Sequence, residues 1–507
     1  MNRIIKTGAL GLALGAVSAS AVELGQGQGQ VLLFPYYTVN NGHSTVLQVS
    51  NGRDEAKALR LRIVEGSNGR RVLSFNIYLR PFETFAAAVV ADAEGRPQLR
   101  AASQACTVPT IPAQGVELRT FDYSFDRADG GSDSLQRARE GHVEVFEMGV
   151  VASGLLSAIA SNACAPLGAA WSAGGVWATE PASGLQAPAG GLSGSASVVD
   201  VAQGVMYAVP ALALDRFSGI VQHSTPSGDT PTLATAAGAT AEADVQARWQ
   251  VPGLGWVQAS WPRSQAIDAV SAVLAQTEVS NSFNVGSSLG ADTEWVLNFP
   301  TKAFYTDNTD TGPVDGAALA PFSGGFVAHT PQQSSAVRGG ACSFIDIDVV
   351  DRAGAPNSQL DGLPCAPEAP SCGPVRVAAC HTTQLISFGS AAAADQASPL
   401  LGSLRQSAVA YGLGTVDAPA DVAARSLAAA GDIEAGRASL RLSGASRPSK
   451  EGIVVRGLPV IAFSFERVIN SNALPGRVAN YGGALPHSGQ RDVAIPTEPD
   501  GAPAALR

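Results

Sequence analysis

The chain has 507 residues, 43 acidic against 33 basic, for a formal net charge of −10 at neutral pH. That length exceeds what one hydrophobic core grows around, so two or three domains are expected, and the acidic balance gives no reason to seek nucleic acid or anionic lipid. Charged residues make up only 15% of the chain while Gly and Pro number 55 and 31, a composition that suits many short strands joined by turns.

The first predicted element is an export signal. Arg3 and Lys6 precede an apolar core from Gly8 to Val17, and Ala19-Ser20-Ala21 offers the small-x-small pattern of a signal peptidase site, so residues 1–21 are expected to be removed. After residue 21 no run reaches the ~18 apolar residues of a membrane helix, and aromatic residues at 6% are too few for the girdles of a membrane barrel. The expected product is periplasmic, extracellular or at the cell surface, with no membrane insertion after cleavage.

Val31 to Tyr37 reads as an apolar strand and Thr45 to Val49 as the next. Leu59, Leu61 and Ile63 then alternate with Arg60 and Arg62, and Leu73, Phe75, Ile77 and Leu79 with Ser74, Asn76 and Tyr78. A period of two predicts one dry face and one wet face. Gly66-Ser67-Asn68-Gly69 reads as a hairpin-like turn, Arg80-Pro81 closes the second run, and Phe82 to Val90 starts another strand, all consistent with antiparallel pairing. Helical spacing predicts helices over 153–163 and 264–276. Ala182 to Gly194 reads as a long loop and Ser227 to Ala241 as a mobile low-complexity stretch. A second strand-rich region begins near residue 277, with runs such as Glu294 to Phe299, Phe344 to Val349 and Pro459 to Phe465. The expected class is mainly β, two antiparallel sandwich regions with a few short helices. The expected division is an N-terminal β-sandwich over 22–165, a connecting region with loops and a short helix over 166–276, a second β-rich disulfide-bonded domain over 277–487, and a flexible tail over 488–507.

The run of strand, Asn-rich turn, alternating strand, Gly turn, alternating strand and Pro-led strand over residues 30–150 resembles immunoglobulin-like sandwich modules of secreted bacterial proteins. Phe34-Pro35-Tyr36-Tyr37-Thr38-Val39, Val145-Phe146-Glu147-Met148-Gly149, Trp295 to Lys302 and Ala479-Asn480-Tyr481-Gly482-Gly483 are similar to segments of an uncharacterised group of exported proteobacterial proteins. The resemblance implies the fold and the address and carries no site residue with it.

Six cysteines, Cys106, Cys164, Cys342, Cys365, Cys372 and Cys380, form an even set in an oxidising compartment, so three disulfides are expected. The gap between Cys164 and Cys342 divides them, predicting Cys106 with Cys164 and two bridges among the remaining four. The alternative is a metal site of Cys365, Cys372, Cys380 and His381, whose spacings do not match the close cysteine pairs of zinc ribbons.

The chain lacks the Gly-x-Ser-x-Gly elbow of α/β-hydrolases, and its nearest approach, Gly191-Leu192-Ser193-Gly194-Ser195, lacks the final glycine. His43, His142, His223, His329, His381 and His487 stand far apart. His142 beside Glu144 could pair a general base with an orienting carboxylate, against the blander reading of a solvated strand face. Asp126, Asp129 and Asp133, then Asp307 and Asp310, then Asp346, Asp348 and Asp351 gather carboxylates near glycines or on a strand, a weak calcium reading that competes with solvated turns. Among the N-terminal aromatics, Phe34, Tyr36, Tyr37, Phe75, Tyr78, Phe82 and Phe85, most fall on the apolar phase, leaving Tyr36 and Tyr78 as candidates for a carbohydrate or partner surface.

No catalytic, metal or cofactor set is assembled by sequence. The leading expectation is an exported structural or adhesive surface or matrix protein, contacting other surface proteins or polysaccharide. The alternatives are a secreted hydrolase acting on polysaccharide or ester and an extracytoplasmic ligand- or partner-binding module, the last favoured by a crevice between the two sandwiches.

Overall fold

A computed structural model describes residues 21–129, 131–286, 290–306, 318–323, 326–327, 341–354, 375–388, 397–403, 409–410, 434–470 and 479–496. The protein is mainly β, with several sheets and a few short helices. The first strands are β1 (Ala21–Leu24), β2 (Val31–Thr38), β3 (His43–Asn51), β4 (Ala56–Glu65), β5 (Arg71–Leu79), β6 (Thr84–Ala91), β7 (Pro97–Ala101), β8 (Cys106–Val108) and β9 (Val116–Glu117). Then come β10 (Glu140–Val151), the helices α1 (Leu156–Ala160), α2 (Ala165–Ala170) and α3 (Val176–Thr179), and the strands β11 (Leu185–Gln186), β12 (Leu192–Asp200), β13 (Val205–Pro210), β14 (Leu212–Asp215), β15 (Val245–Val251) and β16 (Gly255–Trp261). Helix α4 (Ala266–Leu274) follows.

Two sheets build the N-terminal part. A ten-stranded sheet runs β16-β15-β1-β14-β2-β10-β4-β5-β8 with β11 beside β10, and a six-stranded sheet runs β13-β12-β3-β6-β7-β9. Between them lies one apolar core containing Leu32, Phe34, Leu47, Val49, Leu61, Phe75, Phe85, Val145 and Leu192, the dry phase that the alternation of β4 and β5 announces. The turn after β4 is held by the Glu65 carboxylate, which accepts the backbone amides of Ser67, Asn68 and Arg70 at 2.6, 2.9 and 3.0 Å.

The segment 166–276, expected to be a connection, instead supplies β11 to β16, and these pair with β1, β2, β3 and β10. Ser193 and Ser195 lie within β12 rather than on an elbow. Gly194 is required there because a Cβ would stand 2.6 Å from the Gln48 carbonyl oxygen and 2.7 Å from the Phe34 ring. The stretch 227–241 is packed, not loose: Leu233, Ala236 and Ala237 are buried, and Thr232 caps the short helical turn Leu233–Thr235. Its small side chains let the backbone lie close against the sheet.

The face of the ten-stranded sheet opposite the six-stranded one is also covered, and here the wet-face expectation fails. Val31, Leu33, Tyr36 and Phe146 join a second core shared with α4 and with the C-terminal strands through Trp295, Phe463 and Phe465. The C-terminal part has a four-stranded sheet ordered Thr383–Phe388, Ala291–Asn298, Ile461–Val468 and Tyr481–Pro486, and a seven-stranded sheet that includes Ala341–Asp351, Ala435–Leu442 and Glu278–Asn284. Polar contacts join the two parts: Asn298 donates to the Pro35 carbonyl at 2.6 Å, and the amides of Thr382 and Thr383 donate to the carbonyls of Ser67 and Gly66. All nine residues of α4 are buried, because it lies between the ten-stranded sheet and the C-terminal strands rather than on one surface. Ser488–Gln490 pairs with Glu278–Ser280, so the expected tail begins as a strand.

Buried charge is handled differently in the two parts. Lys57 pairs with Glu147 at 2.6 Å, Arg62 with Glu144 at 2.6 Å, and Arg137 with both Glu65 and Asp129, all inside the N-terminal part. In the C-terminal part Lys302 donates to the Ala379 carbonyl, and Glu294 accepts the amides of Leu400 and Leu401 and the Ser398 hydroxyl. The His487 ring stands edge-on to Trp295 at 4.3 Å. Burial pulls Lys302 down to about 7, pushes Glu294 up to about 7 against the pull of its amide donors, and drops His487 to about 3.

Candidate functional site: a cleft at the edge of β5

β5 pairs with β4 along its whole length, but its other edge meets β8 only over Asn76–Tyr78. Pro109 follows Val108 and has no N–H to extend the ladder, so the chain leaves β5 there and crosses to the six-stranded sheet as β9. It returns where the Arg119 amide donates to the Val72 carbonyl at 2.8 Å. Between these closures lies a cleft of about 690 Å³, within the usual range of ligand sites, lined by Arg71 to Phe75, Val108 to Ile111, Val116, Arg119, Phe121, Asp122, Trp171 and Thr225 to Ser227.

Its walls are fixed by structure beneath them. The Cys106–Cys164 disulfide ties β8 to the start of α2, and Trp171 follows that helix directly. The Trp171 indole N–H donates to the Tyr78 hydroxyl, which stands 2.9 Å from His223 Nε2, while His223 Nδ1 faces the Pro181 carbonyl at 2.6 Å. That carbonyl requires the proton on Nδ1, so Nε2 accepts from Tyr78. Burial, with the nearby Arg60 charge, lowers His223 to about 4 and keeps it neutral. Trp177 stacks on Tyr78 at 5.2 Å. On the loop side the buried Arg60 donates to the carbonyls of Ser224, Thr225 and Pro226 at 3.2, 2.5 and 2.7 Å, pinning that wall.

Charge at the mouth is uneven. Arg71 is saturated by Asp122, Asp229 and the Gly228 carbonyl, and Asp122 also takes Arg127 at 3.0 Å. Arg119 is exposed, and its guanidinium has no carboxylate partner among the described residues. Phe121 is 63% exposed beneath the Arg127 guanidinium. The hydroxyls lining the cleft, those of Ser74, Thr110, Thr225 and Ser227, are not hydrogen-bonded to a histidine or a carboxylate among the described residues. The arrangement can bind and orient; it offers rigid aromatic and apolar walls, one unspent cation and an open strand edge.

The residues singled out from sequence lie elsewhere. His142 and Glu144 are buried rather than solvated, 3.5 Å apart, with Glu144 committed to Arg62. Burial pushes Glu144 up, but Arg62 and His142 outweigh it and hold it below the usual carboxylate range. Tyr36 and Tyr78 are buried too, one donating to Glu140 and the other joined to His223. The C-terminal part and the pinned loop cover the face both were expected to present. Asp129 is buried against Arg137 and Asn68 while Asp126 and Asp133 are exposed, so these three do not converge on a cation. Asp348 pairs with Arg441, and Asp351 accepts the Ala353 amide. Among the described residues no three His, Cys, Asp or Glu side chains gather as a metal-ligand set. Cys342 is bonded to Cys380, which withdraws Cys380 from the alternative metal set with His381. Cys365, Cys372, His329, Asp307, Asp310 and the predicted signal over 1–20 lie outside the described residues.

Sequence reasoning passed over Trp171, Arg119 and Phe121. The signal that pointed to Arg119 and Phe121 is the loop Arg119-Thr120-Phe121-Asp122-Tyr123-Ser124-Phe125-Asp126-Arg127, aromatic and charged with no apolar periodicity to explain its rings. No protein-family model, curated protein or solved structure matches the chain.

Proposed function

We propose that this is an exported structural or adhesive protein that engages its partner at the β5 cleft, so that the adhesive and partner-binding readings of the sequence merge. The observation that carries the proposal is the cleft itself: a preformed space whose walls are locked by a disulfide, an aromatic cluster and a pinned loop. Export is supported by the leader and by two disulfides, and the N-terminal sheets facing one core, antiparallel except where β1 meets β15, support an enlarged immunoglobulin-like module. The crevice between the N- and C-terminal parts is smaller, about 280 Å³, and mainly apolar, with Leu24, Leu212, Val279 and Phe463 in its walls. It ranks second to the β5 cleft as a place for a partner.

The test titrates the oxidised protein with envelope polysaccharide and with surface proteins of its host, reading tryptophan emission in the wild type and in Trp171→Phe. Binding that shifts emission in the wild type and loses that shift in the variant supports the cleft. Turnover of an ester or polysaccharide that Asp126→Asn, Asp346→Asn or Asp348→Asn abolishes would replace the proposal with the hydrolase reading.

A further inference from the structure

Resting on the binding role of this cleft, we propose that it receives the carboxyl terminus of a partner polypeptide, added as a short antiparallel strand on β5. The open edge is the first reason. Exposed strand edges are normally covered, and a chain laid along one gains main-chain hydrogen bonds whatever its sequence. Here the cover stops at Asn76 and resumes with the Arg119 amide on Val72. Three residues of strand, Leu73 to Phe75, lie between those points, which stand roughly 13 Å apart.

The slot is closed at both ends along the strand axis, by Val108 at one and Arg119 at the other. A polypeptide passing straight through would run into one of them. A chain end would not. Direction then follows from the neighbour: β8 runs antiparallel to β5, and a guest continuing its line has its last residue beside Arg119. That residue's carboxylate meets the exposed guanidinium that lacks a carboxylate among the described residues, a planar fork suited to bidentate contact. Alternate guest side chains would face opposite walls, Trp171, Thr225 and Pro226 on one side and Leu73, Ile111, Val116 and Phe121 on the other. The guest's upstream chain leaves through the mouth between Thr110 and Ser227.

The probe is a random heptapeptide library with free carboxyl termini, selected on the full oxidised protein, each enriched peptide then resynthesised with an amidated terminus. The expected result is that amidation and, separately, Arg119→Glu each weaken binding about tenfold or more, while the peptide slows deuterium exchange over residues 72–76. Arg119 is exposed, so the variant is expected to keep the wild-type melting temperature, and Arg119→Lys should restore part of the affinity. Equal binding of amidated peptides, or binding without protection of residues 72–76, overturns the inference. A glycan that binds at Trp171, indifferent to Arg119, would overturn it too and yet leave the binding role standing. Failure of peptides, glycans and host surface proteins alike to perturb the cleft removes both.

Discussion

Two sets of buried ionisable groups, one in each part of this protein, are held by opposite means. In the N-terminal part Lys57 meets Glu147 and Arg137 meets Glu65 and Asp129, Arg60 and His223 being exceptions that face carbonyls; in the C-terminal part Lys302, Glu294 and His487 face carbonyls, amides and an aromatic ring. The first arrangement makes each partner indispensable, since removing one strands the other in a poor dielectric. The second lets the group discharge instead, so its cost varies with pH. The paired set should therefore be sensitive to mutation and the unpaired C-terminal set to protons.

The largest expected effect follows from Arg137→Met, which leaves Glu65 and Asp129 buried without their main cation. A loss of up to about 5 kcal/mol in urea unfolding at neutral pH is expected, against little change or a gain for Lys302→Met. Equal losses from the two variants would erase the distinction.

Among the described residues each part carries one disulfide, with a sequence separation of 58 residues in Cys106–Cys164 and 38 in Cys342–Cys380. Chain entropy assigns each about 4 kcal/mol, with only a few tenths between them. Replacing each pair by serines and measuring unfolding tests this. A far greater loss for Cys342 and Cys380 would mean that the crosslink there substitutes for a core rather than supplementing one. Thiol titration of the denatured, unreduced wild type should find no free thiol in the four cysteines of these bridges.

The pH contrast has a definite sign. Glu294 is raised, so the folded state binds the extra proton between about 4.5 and 7 and stability falls as pH rises through that window. Lys302 is lowered, so the unfolded state binds the extra proton between about 7 and 10.5 and stability climbs over that range. Together they give the C-terminal part a stability minimum near pH 7, with an acid limb on the order of 3 kcal/mol and an alkaline limb on the order of 5 kcal/mol. Glu294→Gln should flatten the acid limb and Lys302→Met the alkaline limb, as read by melting temperature across pH. A monotonic profile in the wild type would refute the assignment.

The smallest effect concerns the backbone. Phe125 is 87% exposed at φ 55°. A bulky side chain in the left-handed region costs about 1 kcal/mol, and here little burial offsets it. Phe125→Gly should raise stability by at most about 1 kcal/mol, and its effect on partner binding shows whether that ring is kept for contact.

Much of the fold was legible. The period-two runs at Leu59 to Ile63 and Leu73 to Leu79 are paired strands with the expected apolar phase inward, and helices fall within 153–163 and 264–276. The opposite phase was misjudged, because alternation reports polarity, while Arg60, Arg62 and Glu144 are polar groups buried by pairing. Segment 227–241 was misjudged for a related reason: its Ala, Thr and Gly residues carry no hydrophobic period, yet Arg60 and Arg71 donate to the Gly228 carbonyl and α4 packs on the turn Leu233–Thr235. The cleft was not legible at all, since it arises where β8 stops short of the end of β5, a fact of pairing length that no local pattern encodes.

The strand Ala21–Leu24 sits between β14 and β15, its Glu23 opposite Asp215 and its Val22 opposite Ala247. It is the third strand from the β16 edge of the ten-stranded sheet, and both neighbours lie roughly two hundred residues further along the chain, so this part of the sheet cannot pair until those distant residues are in place. Material fused directly to this strand would start between two paired neighbours, which makes the opposite terminus the sounder place for an affinity handle.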